Sequence, residues 1–133
     1  MAKKTEMESV HLAYIPYGCE MPVIHEAPAP LLEEWCERIL GTDELILRPS
    51  VLGAIHLLCL KTDHDEPFNH FATALYLHAH DDVIGGNVIA CRASFKRDEK
   101  GKVHIQGLTE NDCMRLERAS QKYFGNRELL EFR

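Results

Sequence analysis

The sequence predicts an α+β domain, a small, mostly antiparallel sheet with two main helices packed on it. Three observations carry this. Strand-like segments come in sequence-adjacent groups, two other stretches keep apolar residues at helical spacing between capping residues, and 133 residues suffice for a single core. Residues 1–8 lack an apolar pattern and read as a loose arm, 9–125 as one domain, and 126–133 as a tail.

The first elements are extended. Residues 10–17, Val-His-Leu-Ala-Tyr-Ile-Pro-Tyr, are rich in β-formers and broken by Pro16, so this strand stops there or lies at an edge. A second extended piece runs over 21–25. Pro30 then suits a helix's first turn, and Leu32, Trp35, Cys36, Ile39 and Leu40 keep one apolar face, with Gly41 placed for a left-handed C-cap. Strands follow over 45–47 and 51–60, the second apolar almost throughout, as in a strand covered on both sides. The spacing predicts a further strand over 83–95, with residues 102–106 as its hairpin partner. Thr109 as N-cap, Asp112 in a capping box and the Leu108/Cys113 staple start a closing helix. Its inner stripe is Cys113, Leu116, Ser120, Tyr123 and Phe124, and Gly125 ends it.

Charge and cysteine usage narrow the function classes. With 15 Lys+Arg against 21 Asp+Glu the formal net charge is −6, which argues against duplex nucleic-acid binding, where affinity comes from neutralised phosphates. The one local concentration of positive charge is 96–102, where Lys96, Arg97, Lys100 and Lys102 flank two acids. Five cysteines, 17 to 32 residues apart and without a CxxC pair, form neither a disulfide framework nor a zinc knuckle. No apolar run reaches the ~18 residues of a membrane span, so no membrane partner and a cytoplasmic location are expected.

Ala13-Tyr14-Ile15-Pro16, the helix 31–41, the segment 67–76 beginning Pro-Phe-Asn-His-Phe, Asp82-Val83-Ile84-Gly85-Gly86 and Gly107-Leu108-Thr109 occur in an order that resembles a family of small uncharacterised domains encoded by bacteriophages, plasmids and bacterial genomes. The resemblance spans most of 13–124. It departs from the family pattern at Gly41-Thr42 and over 63–66. It implies a mobile-element setting and carries over no catalytic residue.

One motif points to metal chemistry. His78-Ala79-His80-Asp81-Asp82-Val83-Ile84-Gly85-Gly86 resembles the zinc motif of metallo-β-lactamase-type hydrolases, with Val83 in place of its last histidine. On extended backbone the i and i+2 imidazoles of His78 and His80 point the same way and could share one zinc, with Asp82 suited to a second ion. On a helix they diverge by about 200°. Asn69 could cap a helix containing Ala72, Ala74, Leu75 and Leu77, so residues 70–80 stand open between helix and strand. Downstream, only His104 remains for a three-histidine site, and the 47 residues after Gly86 are too few for that fold's second half.

The acidic turn of Asp63, His64, Asp65 and Glu66 fits no calcium-loop spacing. Cys36, Cys59, Cys91 and Cys113 fall on apolar faces, which leaves Cys19, with Tyr17 and His25 nearby, as the one thiol in turn chemistry. No phosphate loop, GxSxG elbow or HExxH helix occurs. The sequence therefore favours a non-enzymatic accessory or regulatory protein without cofactor, acting on a protein partner or as a homo-oligomer. Tyr14, Tyr17 and Met21, beside an edge strand among residues 10–25, are the candidate contact. The alternatives are a metal-dependent hydrolase using His78, His80 and Asp82, and nucleic-acid binding through the 96–102 hairpin.

Overall fold

The computed structural model describes residues 9–94, 104–125 and 129–132. Its strands are β1 (Ser9–Ile15), β2 (Val23–Pro28), β3 (Leu45–Ser50), β4 (Gly53–Leu60), β5 (Val88–Ala93), β6 (Ile105–Gln106) and β7 (Leu130–Phe132). The helices are α1 (Leu32–Leu40), α2 (His70–Leu75) and α3 (Glu110–Phe124), and a 3-10 turn over Ala29–Leu31 leads into α1. The strands form one seven-stranded sheet in the order β3-β4-β5-β1-β2-β7, with β6 also on β5. Every strand pairing is antiparallel except β2 with β7. This is the α+β architecture that the sequence predicts.

Register sorts the apolar residues into two layers. Tyr14 pairs with Ile89 and Leu58 with Ile89, so Leu12, Leu58, Ile89 and Cys91 share a face, and α1 buries Leu32 and Cys36 against it. The intervening residues Ala13, Ile15, Ile55, Leu57, Val88 and Ala90 point the other way and meet Phe71, Ala72 and Leu75 of α2 and Leu116 of α3. A strand covered on both sides is apolar on both faces, which is why residues 57–60 of β4 and 88–91 of β5 lack polar alternation. Each fully buried Leu, Ile or Phe contributes roughly 1.5–3 kcal/mol.

Helix ends follow local chemistry. Gly41 at φ 79° donates to the Glu37 carbonyl and closes α1, and Gly125 at φ 80° closes α3 the same way onto Gln121. Thr109 and Asp112 form the reciprocal capping box at the start of α3. Asn69 caps α2, accepting from the Ala72 N–H, which settles residues 70–75 as helix.

Three expectations change. The strand expected over 83–95 is Val88–Ala93, because Ile84 and Gly85 turn away to bond Asn69 and Phe68. From the expected tail, Leu130–Phe132 joins the sheet beside β2, and half-buried Leu129 packs on the core. The edge expected among residues 10–25 is absent: β1 lies between β5 and β2, and β2 is paired over 23–25 by β7. The arm 1–8 and the basic hairpin 96–102 lie outside the described residues. Among the described residues no helix is long and apolar enough to cross a membrane.

Candidate functional site

Asn69 is fully buried and anchors the segment that the zinc-like motif follows. Its Nδ2 donates to the Ile15 carbonyl at 3.0 Å and the Gly86 carbonyl at 2.8 Å, while Oδ1 accepts from Ala72 at 3.0 Å. One side chain thus joins the end of β1, the start of α2 and the Gly85-Gly86 turn. Those glycines have steric causes. A Cβ on Gly85 would sit 2.6 Å from the Asp63 carbonyl oxygen, and Gly86 has φ +80° with Leu60 Cδ1 2.7 Å from where its Cβ would be.

The motif's polar residues part company. Past α2 the backbone turns, with the Asp81 and Asp82 N–H groups both bonding the His78 carbonyl, so His78 and His80 lack the extended geometry that a shared zinc requires. His78 stands edge-on to the Tyr76 ring, with centroids 5.8 Å apart, and the exposed His80 imidazole lies 3.3 Å from the Asp81 carboxylate. Asp82 accepts from the Val83 N–H at 2.8 Å and faces Arg48 at 3.5 Å. His104 sits 3.4 Å from Glu33 of α1. Among the described residues no group of three or more His, Cys, Asp or Glu side chains is placed to hold a metal ion.

Thiol chemistry fares similarly. Burial pushes Cys36 and Cys59 up to about 12 and Cys91 well above its ordinary value, so these thiols stay protonated and inert at neutral pH. Cys19 is exposed. The proposed contact residues are divided as well. Tyr14 belongs to an aromatic row on the α1 face, 6.3 Å from His25, which in turn lies 5.8 Å from Trp35, while Tyr17 is exposed beyond the strand end and Met21 is half-buried.

What the other face leaves open is a groove of about 690 Å³ between α2, the β3–β4 turn and α3. Its floor is apolar: Leu52, Phe71, Leu75 and Ala119. Phe71 meets Tyr123 and Phe124 at 5.4 Å each, which fixes the end of α3 against α2. Tyr123, expected on the inner stripe of α3, is 44% exposed and forms the groove wall instead, with only its side toward Phe71 and Phe124 covered. One lip carries Val51, 55% exposed, and exposed Ala74.

The other lip carries Arg115, Arg118 and Lys122. Spacings of three and four residues place them in one row along α3, about 10 Å long at 1.5 Å rise per residue. The Arg115 guanidinium lies over Gly53, 3.4 Å from where its Cβ would be. Among the described residues none of the three has a carboxylate within ion-pair distance. Two other cations on this face are occupied: Arg92 forms a bidentate pair with the buried Asp112, and Arg48 donates to the Tyr76 hydroxyl at 3.1 Å.

Sequence reasoning missed this groove. The signal available was Arg115-x-x-Arg118-x-x-x-Lys122, a helical basic stripe that a search for contiguous positive charge passes over. Comparison of the chain with family models, curated proteins and solved structures gives no match.

Proposed function

We propose that the protein is a non-enzymatic accessory or regulatory protein that works by docking a protein partner in the groove between α2 and α3. The observation that carries this reading is the row of three cations without acidic partners among the described residues, beside an open apolar floor, on a chain of net charge −6. An apolar centre with a polar rim is the anatomy of a protein-contact surface. Two further points support it. The histidines and carboxylates of the zinc-like motif have separate local partners, and the buried thiols are held protonated. The sequence resemblance to domains of phages and plasmids supports a mobile-element setting for that partner.

The test is site-specific photo-crosslinking in extract of the host, with the crosslinker at Ala74 on the groove lip or at exposed Val83 outside it. The expected result is one partner adduct from Ala74 alone, identified by mass spectrometry and reproduced with the purified partner. Adducts from Val83 and not Ala74 would overturn the reading.

A further inference from the structure

We infer that the occupant of the groove is an acidic amphipathic helix, an inference that rests on the docking reading above. The two lips differ in chemistry. Arg115, Arg118 and Lys122 line one side, Val51 and Ala74 the other, and the floor between them is aliphatic and aromatic carbon. A matching ligand presents carboxylates along one flank and apolar side chains along the adjacent one. A helix does this when acids recur at i, i+3 or i+4, and i+7 beside an apolar stripe, the mode in which helices lie in grooves.

The length of the cation row separates this ligand from others. Two turns of helix span about 10 Å and bring three carboxylates to three cations, whereas a fatty acid carries a single carboxylate and would leave two cations unanswered. Single-stranded nucleic acid needs open ring faces for its bases to stack on. Of the two rings that line the groove Phe71 is buried, which leaves Tyr123 alone where successive bases need successive rings. Charge complementarity fits as well: a row of cations on a net acidic protein attracts an acidic partner locally while the rest of the surface repels it, which favours one orientation.

The experiment titrates the full chain into a fluorescein-labelled, blocked peptide of about 15 residues, with Glu at that spacing along one flank of a Leu stripe, and reads anisotropy. We expect saturable one-to-one binding. The double variant Arg115→Glu with Arg118→Glu should weaken it at least about tenfold, as should Ala74→Trp, which fills the groove from an exposed lip. A peptide of the same composition with its Glu residues scattered around the helix should bind about tenfold more weakly. Circular dichroism of each variant establishes that its fold is intact.

Equal binding of the scattered peptide, indifference to the variants, tighter binding of a single-stranded oligonucleotide, self-association through the groove, or no binding would each overturn the inference. If the peptide fails while Ala74 still crosslinks a partner, the acidic-helix inference alone is lost. If both fail, the docking reading falls with it.

Discussion

The segment 76–86 and the α3 stripe both gather polar residues on the same side of the sheet, yet they do opposite things with them. In the first, nearly every polar group that looked catalytic has a local partner: Asp82 with Val83 and Arg48, His80 with Asp81, and the Gly86 carbonyl with Asn69. In the second, Arg115, Arg118 and Lys122 have no acidic partner among the described residues and border an apolar floor. Whether a polar group is satisfied separates structural from functional use better than its resemblance to a motif does. Buried groups must be bonded for the fold to stand, while exposed ones left without partners cost little and stay available.

The largest effect should come from breaking the satisfied side at its anchor. Asn69→Ala leaves two carbonyls and one N–H without their partner inside the core. At about 1 kcal/mol or more per group, the variant should lose about 3 kcal/mol and melt about 10 °C lower. Asn69→Asp keeps the cap acceptor but turns a carboxylate toward two carbonyl oxygens. It should be at least as damaging at neutral pH and recover partly in acid, where the protonated group can donate. A loss below about 1 kcal/mol for Asn69→Ala in denaturant titration would mean that the motif's turn holds itself, and the contrast would fail.

The next effect sits at the other end of the same face. Asp112 is fully buried, accepts from Nε and Nη2 of Arg92 and closes the capping box of α3. The Arg92 guanidinium above all, together with the Thr109 hydrogen bonds and against the opposing effect of burial, holds its carboxyl below the ordinary 3.8. A carboxylate depressed in the folded state stabilises above its unfolded pKa, and that stability is lost as pH falls through the folded value. Asp112→Asn should therefore cost about 2 kcal/mol at pH 7, and its deficit against the parent should shrink below about pH 3.8. A deficit independent of pH would show that shape, not charge, is what the site uses.

The sequence carried local structure well and non-local structure poorly, for identifiable reasons. As caps, Gly41, Thr109, Asp112 and Gly125 act within a few residues of themselves, so each was legible from spacing alone, whereas Asn69 read only as one option for residues 70–80 because its bonds to residues 15 and 86 are non-local. The boundary of β5 was not, since Val83–Gly85 read as strand until the partners of residues 68 and 69 are known. A three-residue strand such as Leu130–Phe132 is too short to show a period, and its place beside β2 depends on a parallel pairing across more than 100 residues. The edge expected near Tyr14 was likewise removed by non-local pairing, since β1 pairs with β5 as well as β2, while β7 covers β2. The groove is assembled from 51–52, 71–75 and 115–123, three segments that no linear pattern connects. Only the 115/118/122 spacing foreshadowed it.

The smallest predicted effect is the most discriminating, because its sign is unusual. Arg118 stands three residues from Arg115 and four from Lys122, and each like-charged pair at those spacings destabilises a helix by about 0.2–0.5 kcal/mol. The positions one turn before and after it on α3 hold Met114, Arg115, Gln121 and Lys122, so no acid at helical contact spacing from Arg118 offsets the repulsion. Arg118→Glu removes both repulsions and places an acid four residues before Lys122, the favoured orientation for attraction. The dipole penalty for an acid in this half of α3 is small, since position 118 lies well over one turn from the helix end at Phe124. The variant should thus be more stable by about 0.5–1 kcal/mol at low ionic strength, a gain that shrinks in salt, while losing the acidic peptide. Most surface substitutions leave stability unchanged or lower it, so a gain coupled to lost binding is what a surface held unfavourably for a ligand would give. Destabilisation by Arg118→Glu would instead reveal an internal partner for Arg118 and make α3 as self-satisfied as the 76–86 segment.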